Sequence, residues 1–254
     1  MIDIKNISFS YGRKEVLKDV NTQFNTGESA FIVGANGSGK STFLSLIARL
    51  LTPNQGSISI DGENYKEFSS KGFAKKVSIM VQQRKIPDIS VLEFVSYGRY
   101  PYRSFSNGFS KADERIVEDA LLKTSTKEFA QMPLSSLSGG ERQRVYIAML
   151  LAQNTPYILL DEPTTFLDIQ HSIEIMELLK KLRNDGKGII CVMHDIASAL
   201  KYADRILILK DGALLLDSKA DKASDSRELK DALGITCKKI MIDGEAEYFT
   251  KKGM

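Results

Sequence analysis

Gly34-Ala35-Asn36-Gly37-Ser38-Gly39-Lys40-Ser41 fits the pattern G-x-x-x-x-G-K-[ST] without a mismatch. Before it runs Ser29-Ala30-Phe31-Ile32-Val33, a short apolar stretch that reads as a buried strand. After it, Thr42 to Leu51 sets Phe43, Leu44, Ile47, Leu50 and Leu51 on one helical face. Strand, glycine loop and helix together aim successive backbone N–H groups at a phosphate, and the helix N-terminus adds partial positive charge. Glycines leave no Cβ in the way of a close ligand. Lys40 is expected to reach the β- and γ-phosphates and the Ser41 hydroxyl to bind Mg²⁺.

The rest of the composition is that of an ordinary soluble globular protein. The chain has 254 residues, 43% hydrophobic and 26% charged, enough for one large domain or one domain with a subdomain. A net charge of +3 gives no support for a whole-protein nucleic-acid footprint, and no nucleic-acid partner is expected. No apolar run approaches the roughly 20 residues of a spanning helix, and Met1-Ile2-Asp3-Ile4-Lys5 does not open a secretory signal. Cys191 and Cys237 have no metal-type spacing; Cys191 lies in an apolar strand and reads as a small hydrophobe.

Along the chain, Ile2 to Ile7 alternates as a half-buried strand, and Val16 to Phe24 and Ser57 to Ile60 read as further strands. Lys75 to Val81 is another, ending in Gln82-Gln83. From Ser90 to about Ala152 the pattern turns helical. Ser90-x-x-Glu93 and Ser110 with Asp113 and Glu114 are helix starts. Arg99 to Gly108 is aromatic and loop-like, and Glu141 to Ala152 reads as a third helix. Strand and helix then alternate: Tyr157 to Leu160, His171 to Arg183, Gly188 to Met193, Ile196 to Ala203, and a hairpin turning at Lys210-Asp211-Gly212. Cys237 to Phe249 reads as a terminal strand pair around Asp243-Gly244.

Two further stretches narrow the chemistry. Tyr157-Ile158-Leu159-Leu160-Asp161-Glu162 is an apolar strand ending in two acids, which places them at the sheet's carboxyl edge beside the phosphate loop. Asp161 is expected to hold Mg²⁺ through its water shell, and Glu162 to orient or deprotonate the attacking water. Leu137-Ser138-Gly139-Gly140-Glu141 opens a helix with a serine and two glycines, which fits either a plain N-cap at Ser138 or a second anion site. One nucleotide needs only one phosphate loop, so a second donor nest makes sense if it serves a nucleotide held by another copy.

In order and interval, Gly34–Ser41, Gln82, Leu137–Glu141, Tyr157–Glu162, Asp168 and His194 resemble the ATP-binding subunit of an ABC transporter, over nearly the whole chain. The resemblance implies an α/β fold: a RecA-like P-loop ATPase core with an antiparallel β subdomain and an inserted helical subdomain. Residues 1–82 and 156–254 would form the nucleotide-binding core and 83–155 the helical subdomain. It implies ATP and Mg²⁺ as ligands, with Gly34, Asn36, Gly37, Ser38, Gly39, Lys40, Ser41 and Thr42 around the phosphates. Tyr11 matches the aromatic residue that stacks on adenine, its alternative being a core aromatic at a strand end. Gln82 matches the glutamine that contacts Mg²⁺ and the attacking water, with Gln83 an adjacent competitor. Ser138, Gly139 and Gly140 would contact the γ-phosphate held by the opposite subunit, Asp168 would cross the dimer interface, and His194 would contact the γ-phosphate. Glu141 stands where many relatives have glutamine. His171 reads as surface at a helix N-terminus.

Val91 to Arg103, Leu151 to Pro156 and Pro163 to Ile169 resemble the ATPases of importers for iron–siderophore complexes, haem and cobalamin, the ferric-chelate members above all. That resemblance implies a homodimer at the cytoplasmic face of the membrane, bound to integral permease subunits and through them to a substrate-binding protein. Tyr97, Tyr100, Tyr102 and Phe105 fit either the permease contact or the subdomain's own core. A non-transport ATPase of the same family usually carries two ATPase halves or a long coiled-coil insertion. This chain has one motif set and a compact helical insertion. An exporter ATPase is the third reading, against which Tyr97–Arg103 speaks by resemblance.

Overall fold

The computed structural model describes residues 1–81, 86–103, 109–165 and 167–253. Its spine is a set of strands whose residues are buried on both faces. In chain order the elements begin with β1 (Ile2–Tyr11), β2 (Lys14–Phe24), β3 (Ser29–Val33), α1 (Lys40–Ile47), β4 (Gln55–Ile60), β5 (Glu63–Asn64), α2 (Ser70–Ala74) and β6 (Val77–Met80). Next come α3 (Val91–Ser96), a 3₁₀ stretch at Tyr97–Tyr102, α4 (Lys111–Lys123) and α5 (Gly139–Gln153). The second half holds β7 (Tyr157–Asp161), α6 (Ile169–Asn184), β8 (Gly188–Val192), α7 (Ile196–Tyr202), β9 (Arg205–Lys210) and β10 (Ala213–Lys219). The chain closes with α8 (Ala220–Ser224), α9 (Arg227–Leu233), β11 (Ile235–Ile242) and β12 (Glu245–Lys252).

The strands pair into a six-stranded sheet of order β10-β9-β3-β8-β7-β6, parallel except for β10, and a four-stranded antiparallel sheet of order β2-β1-β4-β5. Successive side chains of the central strands enter opposite cores. Phe31 and Val33, Ile158 and Leu160, Ile189 and Cys191, Ile206 and Ile208 face the core that also takes α3–α7. Ala30 and Ile32, Tyr157 and Leu159, Ile190 and Val192, Leu207 and Leu209 face the core shared with α1 and the antiparallel sheet. Burial on both faces is why these strands read as unbroken apolar runs rather than alternating ones. Cys191 packs there as expected, and burial pushes its thiol well above the usual range.

Two local expectations change. The apolar periodicity carries α1 to Leu51, but the helix ends at Ile47. Arg49 turns to a φ of 59°, its Nη1 donates to the Phe68 carbonyl at 2.7 Å, and Leu50 is left 57% exposed. The stretch from Arg99 is not loop-like as far as Tyr102 but part of a 3₁₀ turn, Tyr97–Tyr102, around a buried arginine. Arg99 pairs with Asp113 at 2.8 Å, donates to the Ala152 carbonyl at 2.8 Å and lies 3.9 Å over the Tyr102 ring. Tyr102 is thereby committed to intramolecular packing, whereas Tyr100, stacked on Tyr97 at 5.0 Å, is 49% exposed. Phe105 lies outside the described residues. Between β10 and the terminal hairpin the chain forms α8 and α9.

Helix starts follow their caps. Ser110 and Asp113 make a reciprocal capping box at α4. Ser90 accepts from the Glu93 amide at α3 without the reciprocal bond. The Asp211-Gly212 turn has φ values of 49° and 84°, the left-handed pair that a two-residue hairpin requires.

Candidate active site

Four chain segments meet at the carboxyl edge of the parallel sheet: the end of β3 with the glycine loop, the ends of β7 and β8, and the end of β1. Gly39 caps α1 with φ 102°, and a Cβ there would lie 2.9 Å from the Val16 carbonyl, so this bend needs glycine. Lys40 opens the helix. The residue is 5% exposed, and its ammonium donates to the Gly34 carbonyl at 2.9 Å and the Ala35 carbonyl at 3.0 Å. Burial pulls its pKa down, against the opposing pull of Glu162 and Asp161.

The Ser41 hydroxyl donates to Asp161 Oδ1 at 3.1 Å. Asp161 ends β7, and burial pushes its carboxyl upward despite that bond. Glu162, next along, has φ 54°, a conformation disfavoured for a glutamate. Its amide donates to the Val192 carbonyl at 3.1 Å, and Thr165 Oγ1 donates to its Oε2 at 3.0 Å. Its Oε1 meets His194 Nε2, which follows β8. The glutamate side chain is 15% exposed and the histidine 43%, so the pair stands at the wall of the cleft with the histidine facing out.

That cleft has a volume of about 640 Å³ and is lined by Tyr11, Asn36, Gly37, Gly39, Lys40, Ser41, Thr42, Glu162 and His194, among others. Tyr11 is 53% exposed at the end of β1 and braced edge-on by Phe9, with ring centroids 4.9 Å apart. It therefore presents a free aromatic face rather than packing in the core. Ser38 is buried, with a hydroxyl that has no hydrogen-bond partner.

A second group stands elsewhere. Ser138 is the N-cap of α5: its Oγ accepts from the Glu141 amide at 3.3 Å, and Glu141 Oε2 accepts from the Ser138 amide at 2.8 Å. Glutamate and glutamine are interchangeable in that box, which accounts for Glu141 in place of glutamine. The Ser138 bonds hold the Glu141 carboxyl below its usual range. Ser138 and Gly139 are exposed, and a Cβ at Gly139 would meet nothing within 4 Å. Asp168 caps α6, with Oδ1 accepting from the His171 amide at 2.9 Å and Oδ2 facing His171 Nδ1 at 2.8 Å. None of Ser138, Gly139, Gly140 or Asp168 lines the cleft. Gln82 and its competitor Gln83 lie outside the described residues. His171 is not free surface: a Cβ at Gly140 would lie 2.9 Å from its Cγ, so its ring covers Gly140. Only its place between two motifs, invisible as spacing, marks it.

A buried lysine in a glycine loop, a serine paired with a strand-end aspartate, and a glutamate–histidine pair across a polar cleft define a nucleoside-triphosphate site. The comparisons with known proteins carry this further. Residues 17–165 match the ABC transporter family. The petrobactin import ATP-binding protein FpuC of Bacillus anthracis is 40% identical over 254 residues, covering 99% of this chain and 93% of that protein. The ferric enterobactin transport ATP-binding protein FepC of Escherichia coli (strain K12) is 36% identical over 235 residues, covering 92% and 87%. Among solved structures, the dimeric bacterial ABC transporter cassette MJ0796 superposes with a TM-score of 0.77 at 36% identity, covering 87% of this chain and 99% of that one. The same cassette is also known as a dimer in a post-hydrolysis state bound to ADP and Pi. This chain belongs to the ABC transporter family, as an ATP-binding cassette.

Proposed function

We propose that this chain is the ATP-hydrolysing subunit of an importer for ferric siderophores or related iron chelates, acting as a homodimer on the cytoplasmic face of a membrane beneath a permease. The observation that carries the dimer is the division of the site. The cleft gathers Tyr11, Lys40, Ser41, Glu162 and His194, while Ser138, Gly139 and Asp168 stand exposed outside it. Two copies arranged head to tail bring the second set onto the first, and the cassette MJ0796 is a dimer. The cargo reading rests on the petrobactin and ferric enterobactin relatives. Among the described residues no helix is long and apolar enough to cross a membrane, and in this reading the spanning path belongs to the permease.

Each residue has a task in this reading. Tyr11 stacks on adenine. The amides of Gly37, Gly39, Lys40, Ser41 and Thr42 face the phosphates. Lys40 exchanges its carbonyl partners for phosphate oxygens, a charge-assisted and stronger bond. Mg²⁺ fits Ser41 and Asp161, a hydroxyl and a carboxylate already 3.1 Å apart, with Gln82 as a further ligand, and it supplies charge neutralisation at the phosphates. Glu162 takes the proton of the attacking water, its carboxylate held at Oε2 by Thr165. His194 leaves Glu162 to contact the γ-phosphate. Ser138, Gly139 and Gly140 bind the γ-phosphate of the other subunit, the α5 N-terminus adding its dipole, and Asp168 crosses between the subunits. ATP binding closes the dimer, and hydrolysis reopens it. Residues 83–155 form the helical subdomain that passes this motion to the permease, and 1–82 with 156–254 form the nucleotide-binding core.

The test is an affinity pull-down of tagged protein from detergent-solubilised native membranes. Recovery of a many-spanning permease together with a lipid-anchored chelate-binding protein supports import. Recovery of ribosomes or DNA-repair factors, with no membrane protein, overturns transport and leaves the ATPase.

A further inference from the structure

The N-terminal end of α5 is tied to the segment that follows Glu162 at three places. Gly140, Gln143 and Arg144 stand at i, i+3 and i+4, one face of the helix. On that face the His171 ring covers Gly140, Gln143 Nε2 donates to the Pro163 carbonyl at 2.6 Å, and Arg144 pairs with Glu174 at 3.0 Å. His171 and Glu174 are themselves i and i+3 on α6. The cleft does not use Gln143 or His171.

The position of these ties gives them a consequence. Glu162 sits at φ 54°, and such a backbone persists only where its surroundings over-determine it. The bond to Pro163, the very next residue, is one of those determinants and comes from the helix that Ser138 caps. His171 holds Asp168 through Nδ1 while its ring lies against Gly140.

We propose that Gln143 and His171 are positioning residues that lock the Ser138–Gly140 end of α5 to Pro163 and Asp168, so that engagement of this end by the partner's nucleotide sets Glu162 in its own subunit. The inference rests on the reading that Ser138–Gly140 act on the opposite nucleotide. Under it, one subunit's α5 senses the partner's ATP, and the lock carries that event to Glu162, which serves the subunit's own ATP. Hydrolysis at the two sites is coupled through side chains that touch neither nucleotide.

The full-length protein tests this with Gln143→Leu, His171→Ala, their combination, and His171→Asn, which keeps a donor where Nδ1 lies. Binding of a fluorescent ATP analogue by the monomer, thermal melting, kcat, KM and the Hill coefficient for ATP are measured for each. Monomer binding stays within about twofold of wild type and kcat of the double variant falls by about 10- to 100-fold, as for a catalytic group displaced by an ångström. The Hill coefficient falls toward about 1, and His171→Asn recovers most of the loss at that site. Wild-type kcat and cooperativity in the double variant overturn the proposal. So does a loss that follows the melting temperature and is not relieved by asparagine. If the double variant does not fold, the two single variants decide by the same criteria. Ser138→Ala run in parallel separates the two readings. Loss of monomer ATP binding there removes action in trans, whereas normal binding with lost turnover, beside unaffected Gln143 and His171 variants, removes the lock alone.

Discussion

Replacing Asp113 by alanine strips the partner from a guanidinium that has almost no water. The Arg99 side chain is 6% exposed and that of Asp113 13%, with Nε 2.8 Å from Oδ1. Removing one member of a buried pair costs about 3–5 kcal/mol, because the other charge stays buried. Arg99 keeps the Ala152 carbonyl and the Tyr102 face, which sets the loss near the lower end, about 3 kcal/mol. At roughly 2–4 °C per kcal/mol for a chain of this size, the melting temperature falls by about 6–12 °C. Replacing both charges, Arg99→Met with Asp113→Leu, restores the part due to the stranded guanidinium, since apolar packing substitutes well for a buried pair, but not the roughly 1 kcal/mol of the α4 cap that every Asp113 variant loses. Calorimetric melts of wild type, Asp113→Leu, Arg99→Met and the double variant form the cycle, with Asp113→Ala beside them, and ATP-analogue binding is measured on each and stays unchanged. A shift below about 2 °C for Asp113→Ala, or a double variant no better than the single, refutes the argument that the pair is desolvated. The sign with pH follows from the same contacts. Hydrogen bonding from Ser110 and the pairing with Arg99 hold the Asp113 carboxyl below its usual range. A depressed folded pKa gives stability that is complete above the unfolded value and lost as pH falls through the folded one. The gap between wild type and Asp113→Asn in urea melts is therefore constant from pH 7 downward and narrows only below about pH 4.

Other outcomes are equally definite. Glu162→Gln keeps the shape and an acceptor for Thr165; it binds ATP, hydrolyses it about 10²- to 10⁴-fold more slowly, and accumulates as a dimer in size-exclusion chromatography with ATP. Near-normal turnover would remove Glu162 from its role. Tyr11→Ala weakens nucleotide binding by about 1–3 kcal/mol, whereas Tyr11→Phe does not, as titration with a fluorescent analogue reads. Equal affinity for all three would leave Tyr11 only its contact with Phe9. Gly98→Ala places a Cβ 2.4 Å from the Met149 carbonyl and 2.8 Å from the Gln153 amide, both backbone of α5. It destabilises by about 1–3 kcal/mol, read as a lowered melting temperature, and an unchanged melt would mean that the 3₁₀ turn moves off α5 freely.

What the sequence made legible is local in the chain. The glycine loop, Asp161-Glu162 and Ser138-Gly139-Gly140 each hold their chemistry within a few consecutive residues, so spacing alone places them on a strand end or a helix start. The central strands were equally plain, because burial on both faces writes an apolar run. Elements decided by distant partners were not. The end of α1 depends on Arg49 reaching the Phe68 carbonyl, in the segment between β5 and α2. The far end of β10, as far as Lys219, is held by Arg205, which pairs with Asp217 from the neighbouring strand. Helices α8 and α9 have five and seven residues, too short to show a stripe, and are held by the core rather than by propensity.

His171 shows most clearly where spacing stops. The sequence opens the helix at His171, where a histidine reads as surface; the helix opens two residues earlier, at Ile169, so His171 is its third residue. Yet that same turn places its ring on Gly140, thirty-one residues back in the chain. A glycine is needed at 140 for this reason as well as for any ligand, whereas Gly139 presses on nothing in its own chain. The two glycines of one motif thus divide the work: the buried one seats α5 against α6, and the exposed one leaves room for what approaches from outside. Replacing each by alanine separates the two. Gly140→Ala must displace His171 and should lower stability along with turnover, while Gly139→Ala should leave the melt untouched and slow hydrolysis only in the dimer. Equal effects of the two on melting would show that the motif is a helix start and nothing more.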